Sequence, residues 1–172
     1  QTVDLKVEER EDTLFIEQLP YPQRKGFELQ AAIPEGLDSI TKQQLALALY
    51  NPKPKKGKDS LRYVWTVKKD SLLSTKSAYP GTYVFTKDTL APKVEALNFR
   101  DEQWVSNYKF LEMQVEDDFS GIKSYRASIN DQWILMEHEP KDKTLIYDFS
   151  DLNFEKARLD FKLEVEDNVG NK

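Results

Sequence analysis

Asp117, Asp118, Asp167 and Asn168 are the side chains whose types and placing come nearest to a ligand set, since they end two segments that can lie side by side. Calcium takes oxygen ligands of this kind, about six to eight at a time, so a weak calcium site is one reading of these turns. The other is that each Asp accepts backbone N–H bonds in its own turn, as Asp and Asn do wherever a chain reverses. The single histidine, His138, stands between Glu137 and Glu139, where it could serve as a base. Without a nucleophile at hand it reads as an ordinary strand residue. Paired carboxylates recur at Glu8-Glu9, Glu11-Asp12 and Asp117-Asp118. Adjacency in sequence does not set the spacing of roughly 5–9.5 Å across a cleft that glycoside hydrolysis needs.

Two further groups suit binding rather than catalysis. Lys53, Lys55, Lys56 and Lys58 crowd one proline-bearing loop that could meet an anionic polymer or simply keep a hairpin tip soluble. A net charge of −5 and the lack of interleaved aromatics argue against a nucleic-acid binder. Of the tryptophans, Trp65 is in phase with Leu61, Tyr63 and Val67 and is expected to be buried, and Trp133 is expected to pack over the sheets. Trp104 falls in an irregular segment and is the best candidate for the surface, where with Tyr108 and Tyr125 it could build an aromatic platform for a glycan, the alternative to a spacer or protein-interaction role.

Composition narrows the chemistry further. Among 172 residues there is no cysteine, which removes disulfides, thiolate metal sites and cysteine nucleophiles together. With 12% aromatic residues the chain has the means to fold despite being 32% charged. Its longest apolar run, Leu45 to Tyr50, is far short of the ~20 residues a membrane helix requires. No charged-then-apolar leader opens the sequence, which begins at Gln1 and reads as a processed chain. Non-catalytic work by a monomer, without a cofactor unless calcium binds, is the expectation.

The elements that must position these residues are strands. Through Asp88 the chain carries 14 basic and 12 acidic residues, and beyond it 11 and 18, so the halves bear +2 and −7. Asp88-Thr89-Leu90-Ala91-Pro92 has the turn and proline chemistry of a seam, giving expected domains of 1–88 and 89–172. In the second half, 93–99, 109–116, 122–129, 132–138, 144–149 and 158–165 read as strands, most of them alternating apolar and polar residues. Asn130-Asp131 tolerates the positive φ angles of a two-residue hairpin turn. Six short strands at this spacing predict an immunoglobulin-like β-sandwich. In the first half, Val3 to Val7, Leu14 to Ile16, Phe27 to Ile33, Leu45 to Leu49, Leu61 to Val67 and Thr82 to Phe85 predict a second, less regular sandwich, with no helix evident. The whole is read as all-β, two tandem β-sandwich domains.

Four motifs occur in order in the second half: Asp88-Thr89-Leu90-Ala91-Pro92, Asp117-Asp118-Phe119-Ser120-Gly121-Ile122, Ile129-Asn130-Asp131-Gln132-Trp133-Ile134 and Asp167-Asn168-Val169-Gly170-Asn171. Together they resemble the non-catalytic immunoglobulin-like module that follows the catalytic domain in some bacterial cell-envelope lysostaphin-type (LytM-like) peptidoglycan metallopeptidases. The resemblance covers residues 80–172 and extends more loosely over the first half. It implies a periplasmic or surface-exposed envelope protein, and partners that are a protein domain or an envelope glycan. It brings no active site, because that family holds zinc through His-x-x-x-Asp and His-x-His, and a chain with one histidine contains neither.

Overall fold

The computed structural model describes residues 7–10, 13–16, 26–57, 59–151 and 158–172. The chain separates into two compact units, Gln1–Thr89 and Leu90–Lys172. Both are built from antiparallel strands, and the fold is all-β. No helix among the described residues is long and apolar enough to cross a membrane.

In the first unit β1 (Val7–Arg10) and β2 (Thr13–Ile16) form a hairpin that continues through β8 (Gly81–Lys87), β4 (Leu45–Tyr50) and β5 (Leu61–Val64) into a five-stranded sheet. Val3 and Leu5, expected at the start of that hairpin, lie outside the described residues. A three-stranded sheet holds β3 (Phe27–Ala32), β7 (Leu72–Ser77) and β6 (Val67–Lys69). Leu29 and Ala31 of β3, Leu73 of β7, Leu45 and Leu47 of β4 and Tyr83 of β8 form one core, so the two sheets share their apolar faces.

Two sequence expectations fail here for identifiable reasons. Leu61 to Val67 is not one strand. The chain leaves the five-stranded sheet after Val64 and joins the three-stranded one at Val67. Thr66 fixes that corner by donating its hydroxyl to the Val64 carbonyl at 2.7 Å and accepting the Leu47 N–H at 3.2 Å. Trp65 therefore sits on the outside of a corner, 60% exposed, and is not core. A short helix, α1 (Ser39–Gln44), also precedes β4, with Asp38 as its N-cap: one carboxylate oxygen accepts the Thr41 N–H and the other the Thr41 hydroxyl. It buries no side chain, so it leaves no apolar stripe in the sequence, and only the cap announces it.

The second unit has a four-stranded sheet, β13 (Glu137–Glu139), β14 (Thr144–Asp148), β10 (Phe110–Glu116) and β9 (Lys93–Ala96). Its three-stranded partner is β12 (Gln132–Ile134), β11 (Ile122–Ile129) and β15 (Phe161–Asp167). Leu111, Met113 and Val115 alternate along β10 and meet Leu145 and Tyr147 of β14 on one side of the core, with Ala127, Ile129 and Val165 on the other. Four strands against three is the arrangement of an immunoglobulin-like sandwich. Asn130 and Asp131 have φ of 51° and 64°, the left-handed pair that a two-residue hairpin requires. The strand expected over 132–138 is broken, as in the first unit, by a change of sheet: Gln132–Ile134 pairs with β11 and Glu137–Glu139 with β14. Met136 enters the core at that corner, whereas Trp133, opposite Ser128 on the outer face of β11, is 57% exposed rather than packed over the sheets.

Tyr83 is the largest fully buried side chain among the described residues, edge-on to Phe27 at 6.2 Å. Its hydroxyl donates to the Tyr79 carbonyl at 2.5 Å and lies 2.6 Å from Ser77 Oγ. Burial pushes the phenol above its ordinary value of 10.0, against a smaller opposing effect of the Ser77 bond. A raised phenol pKa favours the fold fully below the unfolded value and loses that contribution as pH rises from about 10 toward the folded value. Thermal melts are thus expected to fall more steeply above pH ~10 in the native chain than in Tyr83→Phe. Parallel pH profiles would show that Tyr83 is not the group responsible.

Candidate functional site

In the second unit β9 ends at Ala96 and β10 begins at Phe110, and the connection between them is closely held. Asn98 pins its start to β10, donating its amide to the Phe110 carbonyl at 2.9 Å and accepting the Glu112 N–H at 3.1 Å. Gln103 ties its middle: Oε1 accepts the Arg100 N–H at 2.9 Å, and Nε2 donates to the Tyr108 hydroxyl oxygen at 2.6 Å. Glu102 takes φ of 57°, and Asp101 stabilises that turn by accepting the Glu102 N–H. The neighbour of Gln103 is Trp104, which is 75% exposed. Burying such an indole would contribute on the order of 3 kcal/mol, so the fold forgoes a core-sized gain while ordering the backbone that carries it.

Trp104 and Tyr108 border a cavity of about 910 Å³, within the size range of roughly 300–1,000 Å³ for small-ligand sites. Phe99, Phe149 and Phe161 supply aromatic walls, with Leu111 and Ile129 reaching it from the core. Phe99 and Phe161 meet edge to face at 6.0 Å, and Phe149 is braced on Tyr147 in the same manner at 5.7 Å. Charges of both signs stand around it: Arg100, Arg158 and Lys162 against Asp101, Glu102 and Asp160. Two of the cations have partners, Arg158 with Asp160 at 3.5 Å and Lys162 with Asp131 at 2.6 Å.

The expected platform is therefore partly assembled. Tyr108 joins Trp104, but Tyr125 does not line the cavity. Its hydroxyl donates to the Met136 carbonyl at 2.9 Å and its ring packs edge-on against His138 at 5.9 Å, which also accounts for the histidine. Phe149 and Phe161 were legible only as strand residues, and Gln103 carried no signal beyond its place three residues after Arg100. The lysine loop joins β4 to β5; Lys53, Lys55 and Lys56 are exposed, and Lys58 lies outside the described residues.

Of the four residues read as a calcium set, two come together. Carboxylate oxygens of Asp117 and Asp167 lie within 4.8 Å of each other. Asp118 turns to Lys93, 2.9 Å away and largely exposed, and Asn168 spends its amide N–H groups on the Ser120 and Gly121 carbonyls. Asp167 is fully buried: Oδ1 accepts the N–H groups of Val169, Gly170 and Asn171 at 2.6–2.9 Å, and Oδ2 the Asn171 amide at 2.7 Å. Asp117 Oδ2 accepts the Phe119 and Gly121 N–H groups at 3.0 and 2.6 Å. Both carboxylates thus serve their own turns as backbone acceptors.

Comparison of the chain with protein-family models, with curated proteins and with solved structures returns no match. The likeness to the module of lysostaphin-type peptidases therefore rests on the four sequence motifs.

Removing Asp167 strands several buried donors, at a cost of roughly 2–4 kcal/mol. Asp167→Ala is expected to lower the melting temperature of the second unit by about 10 °C or more. Asp118→Ala, which breaks an exposed pair, is expected to change it little. Equal effects in calorimetry would show that Asp167 is not the anchor of the turn.

Proposed function

We propose that the chain is a non-catalytic accessory module of a bacterial cell-envelope protein, acting as a β-rich spacer that carries a binding surface on its second unit. The observation behind the binding role is the exposed indole of Trp104 on a hydrogen-bonded connection beside a cavity of about 910 Å³. Trp104 is the most exposed of the three tryptophans, and it alone of them borders that cavity. The envelope setting, and attachment to a peptidoglycan metallopeptidase, draw on the resemblance of the Asp-rich turns and the Asn130-Asp131 hairpin to that family's module. The spacer role draws on the all-β build, in which close-packed sheets keep an attached domain at a set distance with little deformation.

The test is cosedimentation of the purified chain with bacterial envelope fragments that retain their proteins. The native chain is expected in the pellet, and Trp104→Ala is expected to stay largely in the supernatant with an unchanged melting temperature. If neither variant pellets, or both do so equally, the site is not where the module binds.

A further inference from the structure

Resting on the reading of the Trp104 cavity as a binding site, we propose that its ligand is an uncharged oligosaccharide, with a sugar ring stacked on Trp104 and its hydroxyl groups met by the charged rim. A pyranose has an apolar face of C–H groups and an edge of hydroxyls. The cavity offers the same division, with aromatic surface from Trp104, Tyr108, Phe99, Phe149 and Phe161 and hydrogen-bonding side chains around it. Three cations and three carboxylates stand at the wall, and Arg158 and Lys162 are already paired with Asp160 and Asp131. Balanced charge of this kind draws neither polyanion nor polycation, and the −7 of residues 89–172 repels a polyanion. Trp104 and Tyr108 stand on a connection outside the strands, which presents side chains to the cavity.

Gln103 is the positioning residue in this arrangement. It touches both the backbone of Arg100 and the hydroxyl of Tyr108, so it ties the Tyr108 ring to the turn that leads into Trp104 before any ligand arrives. Preorganisation of this sort raises affinity by reducing the ordering cost on binding.

The experiment uses the full chain carrying Trp65→Phe and Trp133→Phe, which leaves Trp104 as the sole tryptophan. Both replaced side chains are exposed, and calorimetry on the unaltered chain serves as a second measurement. Oligomers of N-acetylglucosamine and of glucose, added to about 10 mM, are expected to shift and quench the Trp104 emission saturably, with Kd near ~0.1–1 mM. Gln103→Ala is expected to weaken binding roughly fivefold or more while the emission of the free protein stays that of an exposed indole. Tighter binding of an acidic polysaccharide or of a peptide would overturn the assignment, as would the absence of a saturable response in both measurements. Trp104-dependent cosedimentation without any response to the sugars would remove the ligand class and leave the binding module standing, while failure of both would remove the site itself.

Discussion

Strict alternation along β10 is the constraint on which the second unit depends. Leu111, Met113 and Val115 must face inward together, and the strand's two neighbours, β9 and β14, inherit their register from it. A slip of one residue would place Phe110, Glu112 and Gln114 against Ala127 and Ile129. With the register set, β14 must present Leu145 and Tyr147 to the same core, and the ends of β10 are carried to defined places. At one end Asn98 and Lys109 bond to the backbone at Phe110, Glu112 and Phe149; at the other lies the turn anchored by Asp117.

Among the described residues each unit holds a small core, of ten buried side chains in the second and six in the first. Small cores leave little apolar burial to order long connections. Polar side chains take over that task. Asp38 starts α1, Thr66 fixes the corner beside Trp65, Asp167 gathers three backbone N–H groups, and Gln103 spans the connection that carries Trp104. The cavity is a by-product of that division of labour. Apolar residues close the centre of the sandwich, and polar bonds hold the connection that borders the cavity.

Most strands were legible because a period of two marks one buried face, and β11 and β10 match their sequence patterns nearly residue for residue. What misled was the change of sheet. Leu61 to Val67 and Gln132 to His138 keep an alternating or apolar pattern straight through a corner, since both sheets share one core and the pattern does not register which sheet is facing it. Trp65 falls outside the core for that reason, whereas Trp133, ahead of its corner, shares the outer face with Ser128 while Ile134 turns inward. Trp104 was legible as a surface residue because no period included it. Its partners were not, because Phe149 and Phe161 belong to separate strand ends that only the closed sandwich brings to one cavity.

The Asn130-Asp131 hairpin has a consequence for anyone altering the chain. Asn130 exchanges two bonds with Asp160, its N–H to the Asp160 carbonyl and its Oδ1 from the Asp160 N–H, both 2.9 Å, while Asp131 holds Lys162. Ile129, Asp160 and Lys162 all border the cavity. By its sequence this turn looks like the natural place to insert a tag, or to install the Asn-Gly pair favoured in such turns. It is instead a brace for the cavity wall, so a peptide spliced there would disturb the cavity through residues that do not line it.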